Sequence, residues 1–255
     1  MMKDDGIGAR LASIVEAASG VILPLWRSGV TVDIKSDASP VTEADRRGEA
    51  VIFEALAAAF PGVPVVGEEA CAENGAPLQV GRRFFLVDPV DGTKAFVRGE
   101  AHFTVNIGLI EDGVPIAGAV AAPAMGRLWH TTPDGAVTRA VGGGETRPIH
   151  VRPRGDQVLA LTSHTLKPEV AEALQARYRY TERQGMDSSV KFCIIAEGGA
   201  DLYPRHGTTM EWDVAAAHAV LAAAGGSVTG PDGEPFVYGK AADGFRNGWF
   251  VARGG

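Results

Sequence analysis

Asp88 and Asp91 stand three residues apart in LVDPVDGTKAF, directly after the apolar run FFLV. Carboxylates this close repel unless something positive lies between them. In a regular strand, residues three apart point to opposite faces. Pro89 ends the ladder in this reading, and the chain then turns. A turn there would let both carboxylates converge, with the Val90 carbonyl joining them. No His or Cys stands nearby. Carboxylates plus a carbonyl form a hard, all-oxygen donor set, which suits Mg²⁺. Gly92 and Thr93 begin a short helical turn whose N–H groups could face an anion. Taken alone, a DxxDG stretch reads equally well as a capped turn.

Three further acidic signals bear on that choice. Gly67-Glu68-Glu69 follows the apolar VPVV, so another carboxylate sits just past a strand. By itself it would be a solvated turn. Asp213, after Trp212, opens an Ala-rich helix, where it could serve only as the N-cap. Asp45, in VTEAD, lies near a helix start and could simply complement the dipole.

These side chains need elements to hold them. Ile7, Leu11, Ile14, Ala18, Val21 and Leu25 form a helical stripe that stops at Gly29. A second stripe, Val51 to Phe60, ends at Pro61-Gly62, and the polar KSDASPVTEAD between them reads as a loop running into that helix. FTVNIGLI and VPIAGAVAAP flank Glu111-Asp112-Gly113 as a hairpin. RLWH and Ala136 to Val141 continue an antiparallel meander. The second half alternates: strands at VLALTS, ADLYP and WFVAR, and helices at Pro168 to Tyr178, at KFCIIAEGG and from Val214 to Gly225-Gly226. The pattern predicts a layered α/β protein. Its division is residues 1–153, two helices plus an antiparallel sheet carrying most of the acids, and residues 154–255, an α/β unit completing the site.

The chain has 255 residues and a formal net charge of −7. That acidity argues against non-specific nucleic-acid binding, but a phosphorylated ligand is compatible if metal ions bridge the like charges. No apolar run is expected to approach the roughly 20 residues of a membrane helix, and MMKDDGIGAR has no apolar signal core. Cys71 and Cys193 form no framework, so a reducing cytoplasm is the expected location, with peripheral membrane attachment left open.

Taken in order, Glu68-Glu69, DPVDGT and WDVAA resemble the signatures of the inositol monophosphatase superfamily, metal-dependent and lithium-sensitive phosphatases. The resemblance covers nearly the whole chain. SPVTEAD, VDPVDGTKAF, FTVNIGLI, SSVKFCIIAEGGADLYPR and WDVAAAHAVLAAAGG look like its CysQ-type branch, the 3′(2′),5′-bisphosphate nucleotidases. Inositol-type members usually carry a small residue where Lys191 stands, and a neutral one where Lys94 stands. Two departures are Glu211, where an apolar residue is expected, and Gly67, where bacterial relatives often have Ser.

The resemblance implies an αβαβα sandwich of the inositol monophosphatase and fructose-1,6-bisphosphatase type. It implies two Mg²⁺ ions, or three, with Glu68, Asp88 and the Val90 carbonyl holding one and Asp88, Asp91 and Asp213 the second. Glu68 and Thr93 would orient and deprotonate a water, with Asp45 accepting a hydrogen bond from Thr93. Gly92 and Thr93, beside Glu68, Val90, Asp91 and Asp213, would hold the reacting phosphate. His164, Ser188, Lys191 and Arg205 would bind the nucleotide and its second phosphate. The implied reaction removes the 3′-phosphate of adenosine 3′,5′-bisphosphate, a by-product of sulfate assimilation, giving AMP. An inositol or sugar monophosphatase is the alternative, then a non-catalytic metal- or nucleotide-binding module. The chain would act on its small-molecule substrate as a monomer or a homodimer.

Overall fold

A computed structural model describes residues 6–29, 32–34 and 40–255. The helices are α1 (Ile7–Ser28), α2 (Glu43–Ala59), α3 (Glu68–Asn74), α4 (Thr93–Val97), α5 (Pro168–Tyr178), α6 (Val190–Ala196) and α7 (Ala215–Ala223). Of the expected stripe on α1, Leu11, Ile14 and Ala18 are buried, while Ile7, Val21 and Leu25 are half-buried; Val15 and Ile22, outside that stripe, are fully buried beside it. By length and hydropathy α1 could cross a bilayer, but that stripe packs on α2 and a sheet. The second helix starts well before its apolar stripe. Thr42 Oγ1 accepts from Ala44 N–H, and Asp45 Oδ2 accepts from Thr42 N–H (2.8 Å). This capping box begins α2 inside the stretch expected to be loop; residues 35–39 of that stretch lie outside the described residues.

The larger sheet has seven strands: β3 (Val65–Gly67), β4 (Arg83–Asp91), β5 (Thr104–Glu111), β6 (Val114–Ala122), β7 (Arg127–Thr132), β8 (Gly135–Ala140) and β9 (Arg147–Ile149), in that order. It is the expected meander, with β3 added in parallel to β4. β1 (Val32–Ile34) and β2 (Pro40–Thr42) form a separate pair. The smaller sheet comprises β10 (Leu159–Thr162), β11 (Glu182–Gly185), β12 (Leu202–Arg205), β14 (Ser227–Thr229) and β16 (Phe250–Arg253), in the order β11-β10-β12-β16-β14. β13 (Thr209–Met210) pairs with β15 (Arg246–Asn247) beside it.

Strand alternation sorts the core into three layers of contact. Phe85, Val87, Val105 and Ile107 pack under α1 and α2. Phe84, Leu86 and Trp129, on the other face, meet α6, α7 and the inner face of the smaller sheet at Leu161, Tyr203 and Phe250. Ala160, Leu202 and Val251 meet α5 at Leu174. The result is the αβαβα sandwich. Gly108 and Gly118 face each other across β5 and β6. A Cβ on either would lie within 2.8 Å of the α7 backbone at Ala216. This notch lets α7 sit against the sheet, with Asp213 just ahead of its first turn.

Candidate active site

Asp88 and Asp91 do converge, but not by the expected route. Pro89 does not end the ladder; β4 runs on to Asp91. Asp88 pairs with Asn106 and Asp91 with Thr104, so three steps on β4 oppose two on β5. The extra residue is a bulge. It reverses the parity of the pleat and puts both aspartates on the face that carries Thr104 and Asn106. α3 brings Glu68 from the end of β3, and the turn before α7 brings Asp213. Carboxylate oxygens of Glu68, Asp88 and Asp213 lie within 4.8 Å of one another.

Ten of the twelve residues singled out in the sequence line one cleft of about 330 Å³: Glu68, Asp88, Val90, Asp91, Gly92, Thr93, Ser188, Lys191, Arg205 and Asp213. Asp45 and His164 do not line it. Asp45 is buried beneath, where its carboxylate also accepts from the Thr42 hydroxyl (2.6 Å). His164 is exposed, between Ser163 and Thr165, which do line the cleft. The Thr93 hydroxyl donates to the Val90 carbonyl (3.0 Å) rather than to Asp45, because α4 begins right after the bulge and the two groups face each other across one turn. Asp213 is not the N-cap of α7; that is Val214. Asp213 Oδ2 instead accepts from Met210 N–H (2.9 Å).

The cluster is electrostatically costly without a cation. Burial first, then Glu68, Asp91, Asp213 and Asp45, push the Asp88 carboxyl well above the usual range. Asp213 is raised by burial, then by Asp91 and Glu68. Burial raises Asp91 to about 6, against the pull of Lys191 and the Ser189 N–H. Close oxygen donors that resist ionising together are what a hard divalent cation relieves, so the donor set fits Mg²⁺.

Sequence reasoning missed the supports of Asp91. Its carboxylate accepts from Ser189 N–H. Ser189 Oγ donates to Asn106 Oδ1 (2.7 Å) and lies 2.8 Å from Thr104 Oγ1, to which Asn106 Nδ2 donates (3.2 Å). The available signal was two polar residues, two apart, in the otherwise apolar FTVNIGLI.

Lys191 and Arg205 form the cationic wall of the cleft. Lys191 is buried there rather than solvated. It is 3 % exposed, donates to the carbonyls of Met186 (3.1 Å) and Ser188 (2.5 Å), and sits 4.8 Å from the Tyr203 ring centroid. Burial lowers it to about 8, opposed by Asp91. Ser188 adopts the left-handed region, φ 60°, unusual for a non-glycine residue. Arg205 Nη2 donates to Thr208 O (3.3 Å), while its Nε is buried with no hydrogen-bond partner among the described residues. Glu211, the departure noted above, is fully buried and accepts from Gly239 N–H (2.8 Å) and Lys240 N–H (2.9 Å), with Lys240 Nζ at 2.7 Å.

A layered α/β fold carrying an acidic cluster is the arrangement of a class of metal-dependent phosphatases, and the chain belongs to that class through the inositol monophosphatase family, whose profile matches residues 8–247. The chain is 37% identical over 231 residues to the 3′(2′),5′-bisphosphate nucleotidase CysQ of Escherichia coli (strain K12), covering 90% of this chain and 92% of that protein. A crystal structure of CysQ from Bacteroides thetaiotaomicron superposes with a TM-score of 0.78 at 27% identity, covering 98% of each chain. A histidinol-phosphatase of Mycobacterium tuberculosis is 32% identical over 217 residues, 83% of this chain and 82% of that one.

Proposed function

We propose that the chain is a 3′(2′),5′-bisphosphate nucleotidase that removes the 3′-phosphate of adenosine 3′,5′-bisphosphate, giving AMP and phosphate. The observation that carries this reading is a second set of positive groups within the same cleft. Lys191 and Arg205 line it together with the carboxylates, and the buried, unpartnered Arg205 Nε suits an anion. A monophosphate would need only the acidic end.

Glu68, Asp88, the Val90 carbonyl, Asp91 and Asp213 would hold two Mg²⁺ ions, or three. Bound there, such ions supply Lewis-acid stabilisation of charge on the phosphoryl and leaving oxygens. Glu68 accepts the proton of the attacking water. The Thr93 hydroxyl orients that water by accepting its hydrogen, since its own hydrogen is given to Val90 O. Gly92 and Thr93 N–H groups hold the reacting phosphate at the cleft wall. Asp45 keeps the start of α2 in place under the cluster. Ser188, Lys191 and Arg205 hold the second phosphate, and His164 reaches the nucleotide from the rim. Residues 1–153 thus bring most of the metal ligands, and residues 154–255 complete the metal site with Asp213 and bring the contacts to the nucleotide and its second phosphate.

The reading is tested by product identity. Phosphorus NMR of the reaction with adenosine 3′,5′-bisphosphate should show loss of the 3′ resonance and retention of the 5′ one. Release of the 5′-phosphate, or no turnover beside rapid hydrolysis of inositol 1-phosphate, would overturn it.

A further inference from the structure

A second cleft opens between α2 and α3, lined in part by Arg46, Glu49, Phe53 and Glu69. Glu49 is 6 % exposed. Its two carboxylate oxygens accept from Glu69 N–H (3.0 Å) and Ala70 N–H (2.7 Å). Those are the second and third residues of α3, whose N-cap, Gly67, has no side chain to satisfy them. A carboxylate from a different helix therefore caps α3. Gly67 makes room for it: a Cβ there would lie 2.4 Å from Glu49 Oε2 and 2.7 Å from Phe53 Cζ. The Gly67 backbone is extended, φ −115°, a region open to any residue. Only the close approach of Glu49 and Phe53 asks for glycine.

We propose that Glu49 is a positioning residue for the metal site. By clamping the first turn of α3 it fixes Glu68 against Asp88 and Asp213, and Gly67 is glycine because the clamp fills the space of a side chain. The proposal rests on the reading of Glu68 as a metal ligand. α3 has only seven residues, too few to hold a helical turn unaided. Glu49 pins the backbone just after Glu68, and the pairing of Gly67 with Val87 holds the residue before it, so both sides are fixed before any cation arrives. Without Glu49, the cation must order that turn itself, and affinity falls.

The experiment is calorimetric titration of the purified full chain with Mg²⁺ alone, so it does not depend on the substrate. Glu49→Ala should raise the Mg²⁺ Kd by about 10- to 100-fold, the scale for losing a partner that orients a ligand. Half-saturating Mg²⁺ in turnover should rise by the same factor, while KM for substrate at saturating Mg²⁺ returns to near the wild-type value. A role in folding alone would lower Tm and leave the Mg²⁺ Kd in place, which would overturn the proposal. Gly67→Ala should weaken Mg²⁺ in the same direction, and the double variant should lose less than the two single losses combined, because Glu49→Ala removes one of the two side chains the added Cβ would meet, Phe53 being the other. Fully additive losses would also overturn it. If Glu49→Ala does not fold, Glu49→Gln decides: it keeps one acceptor, so a smaller rise supports the clamp and no rise refutes it. A wild-type chain that binds no Mg²⁺ would instead refute the metal reading itself.

Discussion

Replacing Asp91 by Asn should make the metal-free protein more stable and the enzyme nearly inactive. Burial holds the Asp91 carboxyl at about 6, against 3.8 for an unperturbed aspartate. At about 1.4 kcal/mol per pK unit, ionised Asp91 costs the metal-free fold roughly 3 kcal/mol. The sign follows from proton counting. Between pH 3.8 and about 6 the folded state holds the proton more tightly than the unfolded chain, so stability falls as pH rises through that window. The cost is fully present above it. Asn keeps the shape, and its carbonyl can still accept from Ser189 N–H, so most of the cost disappears. In chelator at pH 8, Asp91→Asn should melt above wild type by up to about 6–12 °C. The gain should shrink towards zero at pH 4. Added Mg²⁺ should stabilise wild type by mass action and Asp91→Asn much less. The kcat should drop at least about 10²-fold, the scale of losing one stabiliser of transition-state charge. Thermal unfolding with chelator and with Mg²⁺, at both pH values, checks all of this. A variant less stable than wild type in chelator at pH 8, or equally stabilised at pH 4, would refute the reasoning.

Arg205→Ala should cost about 10- to 150-fold in kcat/KM for adenosine 3′,5′-bisphosphate, the worth of one charge-assisted hydrogen bond, mostly in KM, and change inositol 1-phosphate hydrolysis little; equal losses would place Arg205 on the reacting phosphate. Lys191→Ala should show the same substrate pattern and also lose about 1–3 kcal/mol in urea unfolding, because two buried carbonyls lose their donor. His218, buried beside the Tyr238 hydroxyl (2.9 Å), is lowered to about 4 by burial. The unfolded chain therefore binds its proton first as pH falls below 6.5, and His218 should cost wild type about 3 kcal/mol between pH 6.5 and 4; the His218→Gln variant should lack that part of the acid slope in urea unfolding. Phosphate release should stop with chelator, fall when Ca²⁺ replaces Mg²⁺ and be inhibited by lithium; activity that survives exhaustive chelation would remove the metal from the account.

The helices α1 and α5 were legible because each buries one face, and α7, buried on all sides from Ala215 to Leu221, because its Ala-rich run closes on Gly225-Gly226. The β5–β6 hairpin was legible because two apolar runs flank a turn. α2 began earlier than read because its start is fixed by Thr42 and Asp45, not by apolar residues. β11, ERQG, is exposed throughout and, among the described residues, pairs only with β10, so it carries no alternation to detect. The acidic residues were readable by type and order, but their convergence was not, since the bulge depends on pairing with β5. The same holds for Glu49. Nothing in its own stretch of sequence marks a residue that caps a helix twenty positions away.

The most direct test is kcat/KM for phosphate release in Mg²⁺ from adenosine 3′,5′-bisphosphate, its phosphosulfate analogue, inositol 1-phosphate, fructose 1,6-bisphosphate and histidinol phosphate. The account predicts that adenosine 3′,5′-bisphosphate exceeds each monophosphate by at least the 10-fold that one charge-assisted contact supplies, on the order of 1.5 kcal/mol. A preference for inositol 1-phosphate or histidinol phosphate would contradict the assignment of Lys191 and Arg205 to a second phosphate, and with it the nucleotidase.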